Sequence, residues 1–184
     1  ASAALTVNAV PAVPAVPTAS VTVQPTCAVP TGTIVVTAPL GAQYEYSVDL
    51  GAYQAGVTFA GLAVGNHTLT TRLAASPTCI SAASAALTVN AVPAVPAVPT
   101  ASVTVQPTCA VPTGTIVITA PLGAQYEYSL DVAAFQASPT FTLVAVGSHT
   151  LRTRLTASPT CISAASAALT VNAVPAVPAV PTAS

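Results

Sequence analysis

The feature that most constrains this chain is a sequence repeat in which nearly every residue returns at one fixed step. Asn8 recurs as Asn90 and again as Asn172, and the other landmarks of the chain keep the same spacing. Residues 1–102 align with residues 83–184 without a gap, and the two copies differ at only 13 positions. A long, fixed period is typical of one structural unit used several times, and a single active site is seldom built in this way.

The phase of the repeat predicts where units and linkers begin and end. We expect the chain to be a window from a longer array, because it opens on the end of a unit and closes on a linker. The alternative is a complete subunit whose first strand completes a neighbouring subunit. The predicted segments are 1–8 (last strand of a preceding repeat), 9–17 (linker), 18–90 (repeat 1), 91–99 (linker), 100–172 (repeat 2) and 173–184 (linker and start of the next repeat).

The composition favours β-structure and argues against electrostatic partners. Hydrophobic residues make up 53% of the chain, whereas only 4% of its residues are charged. Valine and threonine are abundant, and their β-branched side chains suit a pleated strand. With a net charge of −1, the chain lacks the basic surface that binds nucleic acid or an anionic membrane. Proline interrupts every apolar stretch before the ~20 residues that a spanning helix needs, so membrane insertion is not expected.

The pattern within one unit predicts a small sandwich of about seven strands. In YEYSVD, residues 44–49, Tyr44, Tyr46 and Val48 alternate with polar residues, which is typical of a half-buried strand. Turn signals recur every ~8–12 residues, as they do in β-sandwiches. We therefore predict an all-β fold: tandem antiparallel β-sandwiches of the Ig-like or fibronectin III-like type, joined by polyproline II linkers.

The phrase AVPAVPAVP predicts a semi-rigid spacer between the sandwiches. Proline recurs at every third residue, which is the period of a polyproline II helix, and each ring restricts the backbone to extended geometry. A segment of this length in that conformation spans about 28 Å. The predicted linker prolines are Pro11, Pro14, Pro17, Pro93, Pro96, Pro99, Pro175, Pro178 and Pro181.

Four cysteines provide one pair for each unit. Because every unit has to fold alike, we expect pairing within the unit, which joins Cys27 to Cys79 and Cys109 to Cys161. Each bond would close a loop of about 53 residues and contribute roughly 4 kcal/mol to stability. The alternative bond between Cys79 and Cys109 would cross the linker and join neighbouring units. Disulfides imply an oxidising location, which is secreted, periplasmic or at the cell surface. We predict an extracellular or cell-surface location.

The remaining polar residues predict no catalytic, cofactor-binding or metal site. We expect Glu45 and Asp49 to lie on a solvated strand face and to pair with Arg72, with the same arrangement in the second unit. His67 follows a turn, so we expect a corner residue bonded back to that turn, with a metal or pH-sensing role as the alternative. Two cysteines and one histidine per unit are too few for a zinc finger. The threonine-rich faces fit ordinary β-propensity better than a surface that carries O-glycans or binds ice or sugar; their residues are Thr22, Thr68, Thr70 and Thr153.

Several stretches together resemble a known group of repeats. PTCAVPTGTIVVTAP, YEYSVD, TFAGLAVGNHTLTTRL and SPTCIS are similar to the tandem Ig-like repeats of very large secreted surface proteins of Bacteroidota. These proteins include SprB-type gliding-motility adhesins exported by the type IX system. The resemblance covers nearly the whole unit and implies a β-sandwich, extracellular display and a role in adhesion or fibre building.

Two features depart from that group of repeats. The usual Asp-Gly-Gly hairpin is DLGA at 49–52 and DVAA at 131–134. The acidic residues of calcium-binding relatives are also missing, so the resemblance implies no calcium site here.

These observations predict a structural protein and not an enzyme. The predicted function is a repeat module of an extracellular bacterial filament or cell-surface fibre, without a cofactor, whose partners are copies of itself. The alternative is an adhesin stalk or binding module that recognises carbohydrate or another surface, in which case a surface glycan is the partner. The substitutions between the two units cluster at 48–62 and 130–144, which keeps this alternative open.

Overall fold

The computed structural model describes residue 7 and residues 9–180. Most of the predicted strand at 1–8, and the last linker proline, Pro181, therefore lie outside the described residues. Every element named in the described part of the chain is a β-strand, which confirms the prediction of an all-β fold.

The strands belong to two compact units, residues 1–92 and residues 93–184. The division falls inside the predicted linker 91–99, and the finer segment bounds stay a prediction. The strands of unit 1 are β1 (Thr18–Val23), β2 (Gly32–Ala38), β3 (Tyr44–Val48), β4 (Thr58–Leu62), β5 (Gly65–His67), β6 (Leu69–Leu73), β7 (Ser76–Ile80) and β8 (Leu87–Val89). The strands of unit 2 are β9 (Thr100–Val105), β10 (Gly114–Ala120), β11 (Tyr126–Leu130), β12 (Thr140–Val144), β13 (Gly147–His149), β14 (Leu151–Leu155) and β15 (Leu169–Val171).

The strands of each unit pair in an antiparallel manner. In unit 1, β2 lies between β1 and β4, while β6 lies between β3 and β7, and β5 pairs with β8. In unit 2, β10 lies between β9 and β12, β11 pairs with β14, and β13 pairs with β15. In both units the first, second and fourth strands share one sheet, while the third and sixth strands share another. This is the arrangement of an Ig-like or fibronectin III-like sandwich. The polyproline II conformation of the linkers stays a prediction.

The core of each unit is formed by residues from all of these sheets. In unit 1, Ile34 on β2, Tyr46 on β3, Leu69 on β6 and Val89 on β8 are all buried and belong to one cluster. The equivalent residues of the repeat form the same cluster in unit 2. The tyrosine hydroxyl is satisfied, because it donates to the carbonyl oxygen of Pro39 at 2.6 Å. The burial of Tyr46 agrees with the half-buried strand that the alternation in residues 44–49 predicts.

The first and last strands of a unit run side by side in the same direction. Gln24, directly after β1, donates to the carbonyl oxygen of Thr88 at 3.2 Å and accepts from the amide of Asn90 at 2.8 Å, at the end of β8. Thr18, at the start of β1, lines a shallow groove together with Ser84, just before β8. The chain enters at the start of β1 and leaves at the end of β8. The preceding and following linkers are therefore attached at opposite ends of the unit.

The hydroxyl group of Thr71, on β6, is buried and has no hydrogen-bond partner in the described part of the chain, and the same holds for Thr153. Valine has the same branched shape without the hydroxyl. We expect Thr71→Val combined with Thr153→Val to raise the free energy of unfolding by about 1 kcal/mol per unit, because an unsatisfied polar group no longer has to be desolvated. Equilibrium urea unfolding measures this change. Thr22→Val, on the exposed part of β1, is the control and should change little; a loss of stability in the core variant would contradict the prediction.

Candidate functional site

The first group of polar residues is an ion pair that joins β3 to β6. The register places Glu45 opposite Arg72, and the guanidinium Nη2 lies 2.6 Å from the Glu45 carboxylate. The guanidinium also lies over the ring of Tyr53, 4.2 Å from its centre. The expectation that Glu45 pairs with Arg72 is confirmed. Because both side chains are partly exposed, such a pair contributes about 1 kcal/mol or less.

Unit 2 repeats this pair with one coupled change. Arg154 lies 2.7 Å from the carboxylate of Glu127 and over the ring of Phe135. In unit 1 the hydroxyl of Tyr53 bonds the hydroxyl of Thr70 at 2.8 Å. Unit 2 has phenylalanine and arginine at these two positions, so both partners of that bond are replaced together.

The prediction that Asp49 pairs with Arg72 is wrong, and Asp131 departs from its prediction in the same way. The antiparallel register gives the arginine to Glu45, while Asp49 lies beyond the end of β3 in the following turn. There its carboxylate lies 2.7 Å from Nδ1 of His67 and accepts from the amide of Thr68 at 2.9 Å. The aspartate thus fastens the turn after β3 to the junction of β5 and β6.

His67 is the corner residue that the sequence predicts. Its Nε2 donates to the carbonyl oxygen of Ala63 at 2.8 Å, which ties it back to the preceding turn. That bond, followed by the one to Asp49, raises the pKa of His67 above its usual value of 6.5. Both ring nitrogens are engaged in hydrogen bonds, so neither is open to a metal ion. The interaction favours the imidazolium form.

The acidic partner is held in its charged form. Burial opposes the ionisation of Asp49, but hydrogen bonds from His67 and from the Thr68 amide outweigh it and lower the pKa of the carboxyl group below 3.8. The equivalent pair, His149 and Asp131, shifts in the same directions. Across the described residues, no group of three or more histidine, cysteine, aspartate or glutamate side chains is placed to hold a metal ion. The chemical effect of the pair is to lock a turn.

The locked turn has unusual backbone geometry. Asp49 and Leu50 have φ values of 50° and 59°, and the amide of Gly51 donates to the carbonyl oxygen of Val48 at 2.9 Å. Two successive left-handed residues with this bond form a type I′ turn, which favours glycine at its second central position. Leu50 occupies that position and is 81% exposed. In unit 2 the β-branched Val132 does so, with a φ of 59°.

We expect Leu50→Gly combined with Val132→Gly to stabilise each unit by about 1 kcal/mol, because only glycine adopts this conformation without steric cost. Thermal and urea unfolding measure the change. Leu40→Gly is the matched control, since Leu40 is an exposed turn residue without a positive φ. It should lose stability through the extra flexibility of its unfolded state. If the Leu50→Gly and Val132→Gly variant lost as much stability as Leu40→Gly, backbone strain at position 50 would be contradicted.

The threonine-rich face of β6 and of its counterpart β14 is not a surface platform. Thr70, Thr71 and Thr153 are buried. This burial favours an ordinary structural role for Thr70 and Thr153, whereas Thr22 is exposed and Thr68 is partly exposed.

The cysteines do not form the two bonds predicted within the units. Cys79 and Cys109 are free thiols, whereas Cys27 and Cys161 are disulfide-bonded. Neither Cys27–Cys79 nor Cys109–Cys161 is therefore present, and the alternative bond between Cys79 and Cys109 is absent too. The disulfide-bonded state of two cysteines is consistent with an extracellular location.

The two cysteines of unit 2 lie against different linkers. In unit 2, Cys161 Sγ lies 3.8 Å from the carbonyl oxygen of Pro93, in the linker before the unit. Cys109 donates to the carbonyl oxygen of Pro175, in the linker after the unit, at 3.4 Å. The two cysteines of unit 2 thus contact different linkers, and they are not bonded to each other.

The prolines of the linker that precedes unit 1 differ in burial, and Pro11 is exposed. Pro14 and Pro17 are buried, while Val13 and Val16 remain exposed. Two of the three prolines of this linker are therefore buried, and their alignment along one polyproline edge stays a prediction.

Comparison with known proteins gives only distant similarity. No family model matches the chain, and no curated protein matches it. The solved human OSCAR ligand-binding domain is 18% identical with a TM-score of 0.35, over 88% of this chain and 100% of that one. The chicken CNTN1 FN1-FN3 domains are 11% identical with a TM-score of 0.42, over 85% of this chain and 67% of that one. The fold assignment therefore rests on the strand order, and the resemblance to Bacteroidota surface repeats stays a prediction.

Hydropathy adds one observation about membranes. None of the described residues belongs to a helix with the length and apolarity needed to cross a bilayer.

Proposed function

We propose that this chain is a structural repeat module of an extracellular filament or cell-surface fibre, in which β-sandwich units are strung in series and copies of the unit are the partners. The observation that carries the proposal is the parallel course of β1 and β8. Because the linkers are attached at opposite ends of a unit, each added unit extends the array. Such geometry suits a linear polymer.

The distribution of substitutions supports this function. All positions that differ between the two units lie between 36/118 and 74/156, so the linkers and all four cysteines are spared. A regular polymer needs the same contact at every step, and identical linker regions supply it. With only 4% charged residues, neighbouring units repel one another little.

Exposed apolar side chains also support the proposed function. They lie at the end of the unit from which the following linker leaves. Val64 is next to Gly65, which pairs with Val89 at the end of β8, and Val64 is 47% exposed. Val29, in the connection from β1 to β2, is also largely exposed. Apolar surface at this end favours contact with a further unit over contact with water.

Cryo-electron microscopy of the assembled native protein tests the proposal. Continuous fibres with a regular axial spacing of units would support it. Isolated flexible strings without lateral or axial contacts would overturn the fibre and leave a stalk, whose binding function would then be sought outside these residues.

A second candidate function is an adhesin stalk or binding module that recognises carbohydrate. It is favoured by the strained and exposed turn at 49–52, because strained backbone often occurs at binding sites and the two units differ there. Binding of the chain to a glycan array, with loss of binding in Leu50→Asn combined with Val132→Asn, would support this candidate. If the chain bound no sugar on the glycan array, carbohydrate would be excluded as the partner of these turns.

A further inference from the structure

We propose that the outer face of β11 and β14, in unit 2, binds a carboxylate group of an acidic polysaccharide, and that the guanidinium of Arg152 is the group that holds it. The inference goes beyond the proposed fibre, because a fibre and a stalk can both carry such a site. It is also independent of the strained turns to which the second candidate function assigns carbohydrate binding.

The outer face of this strand pair has two guanidinium groups. Arg152 and Arg154 are two residues apart on β14 and alternate with buried residues, so both side chains lie on the face away from the core. The register places Glu127 opposite Arg154, but it places the neutral Ser129 opposite Arg152. Positive charge on this face therefore exceeds the negative charge that the two strands supply.

The acidic side chains of unit 2 are engaged elsewhere. The carboxylate of Glu127 lies 2.7 Å from Nη2 of Arg154, while that of Asp131 accepts from the amide of Thr150 at 2.8 Å. In the part of the chain that the structure describes, the guanidinium of Arg152 has neither a hydrogen bond nor an ion pair. A guanidinium has five N–H donors, so those of Arg152 remain available to a ligand.

An aromatic ring lies beside this free cation. The centre of the Phe135 ring is 4.3 Å from the guanidinium carbon of Arg154, and the equivalent distance in unit 1, from Tyr53, is 4.2 Å. The ring thus lies in the same place in both units. In unit 1 its outer edge reaches Thr70, which holds the repeat position of Arg152. The outer edge of the Phe135 ring is therefore directed towards Arg152.

The two substitutions at this place open a contact that is closed in unit 1. Thr70 is only 5% exposed, and its hydroxyl bonds the hydroxyl of Tyr53. In unit 2 the phenylalanine lacks that hydroxyl, and Arg152 is partly exposed. Because the ring of Phe135 has no oxygen to accept from the arginine, the paired change does not restore the lost hydrogen bond. What it adds is a guanidinium next to an apolar ring edge.

The chemistry of this face fits a uronic acid better than an acidic peptide. A guanidinium binds a carboxylate through two parallel hydrogen bonds, and the apolar edge of Phe135 suits the C–H groups of a sugar ring. A uronic acid carries both groups on one ring. A peptide commonly binds by adding a strand to a free sheet edge. Here one edge already pairs Tyr128 with Gln136, and the other pairs Arg154 with Ile162.

A titration with trigalacturonic acid, followed by NMR of the arginine side chains, tests the proposal on the full chain. The sequence has three arginines, so their Nε–H signals are few enough to follow one by one. We expect the signal of Arg152 to shift in a saturable manner at low salt, and that of Arg72 to stay in place. Added salt should weaken the binding, because the site is partly exposed. No saturable shift of the Arg152 signal would overturn the proposal.

The other unit supplies the matched variants. Arg152→Thr combined with Phe135→Tyr restores the pair that unit 1 carries, so the variant should fold, and the affinity should fall about tenfold or more, as the loss of a charged hydrogen bond predicts. Thr70→Arg combined with Tyr53→Phe should create a second site, with a saturable shift of the side-chain signal at position 70. Unchanged affinity in the first variant would overturn the proposal.

Two further ligands define the chemistry of the site. The neutral trisaccharide maltotriose should leave the Arg152 signal in place, and triglutamate should bind more weakly than trigalacturonic acid. If triglutamate bound as tightly, the sugar assignment would be wrong. Cryo-electron microscopy of the Arg152→Thr and Phe135→Tyr variant keeps this result separate from the proposed function, since fibres should form whether or not the acidic sugar binds.

Discussion

Replacing Gly32 and Gly114 by alanine is expected to lower the free energy of unfolding of each unit by about 2 kcal/mol, within the range that overpacking of a core costs. A Cβ atom on Gly32 would lie 2.7 Å from Cγ1 of Val89 and 3.2 Å from the carbonyl oxygen of Val23. Val89 is buried in the core, so its branched side chain has little room to move. The end of β8 would therefore have to separate from β1 and β2.

The chain supplies its own control for this replacement. Gly51→Ala introduces the residue that unit 2 already carries as Ala133, so alanine is accepted at that turn and stability should change by less than about 0.5 kcal/mol. Urea unfolding monitored by circular dichroism measures both variants. If Gly32→Ala combined with Gly114→Ala were as stable as the original chain, the close approach of β8 to the start of β2 would be refuted.

The same region shows how much of the fold the sequence predicts. Strand β3 covers 44–48, almost the whole of the alternating segment YEYSVD, because a two-residue period with a buried face leaves only one register. The repeat period predicts two equivalent units, and the structure contains them. Gln24 was not among the sequence predictions, because its two bonds depend on β1 and β8 being neighbours that run in parallel.

The cysteine pairing was mispredicted for a related reason. Spacing along the chain does not tell which end of a sandwich a residue occupies, and the assumption that identical units pair internally ignored this. A signal was present: Cys27 follows the first strand, whereas Cys79 comes just before the last. In a sandwich whose first and last strands are parallel, these two positions lie at opposite ends.

The Asp–His pair was missed because it depends on a turn. In the sequence, Asp49 continues the alternation in which Tyr46 and Val48 occupy one face of the strand and polar residues the other. A strand residue on the polar face would be expected to pair with Arg72. The left-handed backbone at 49 and 50 instead aims the carboxylate at the neighbouring corner. No residue pattern fixes that direction, although the recurrence of both the aspartate and the histidine in the second copy of the repeat was visible in the sequence.

Replacing Asp49 and Asp131 by alanine is expected to cost each unit about 2 kcal/mol at mildly acidic pH, because unsatisfied buried donors cost about 1–3 kcal/mol. The change leaves Nδ1 of the buried His67 without its acceptor and removes the acceptor of the Thr68 amide. The Asp49 side chain is 49% exposed, so water screens the purely Coulombic part and it adds little. Urea unfolding at about pH 5.5 measures the loss. Stability equal to that of the original chain would show that solvent replaces the carboxylate.

The pH dependence of stability separates the charge of this pair from its hydrogen bonds. The pKa of His67 is raised above 6.5, so its contribution is complete below that value and is lost as pH rises through the folded-state pKa. The pKa of Asp49 is lowered below 3.8, so its contribution is complete above that value and is lost as pH falls through the folded-state pKa. We therefore expect greatest stability between about pH 4 and pH 6.5 in urea unfolding.

Asp49→Asn combined with Asp131→Asn tests this origin directly, because asparagine keeps the shape and the acceptor for the Thr68 amide but removes the charge. We expect lower stability inside the window and a flatter profile on both sides. Part of the decline above pH 6.5 should remain, since the carbonyl of Ala63 still favours the protonated histidine. A profile of unchanged amplitude in the asparagine variant would mean that groups other than this pair set the pH dependence.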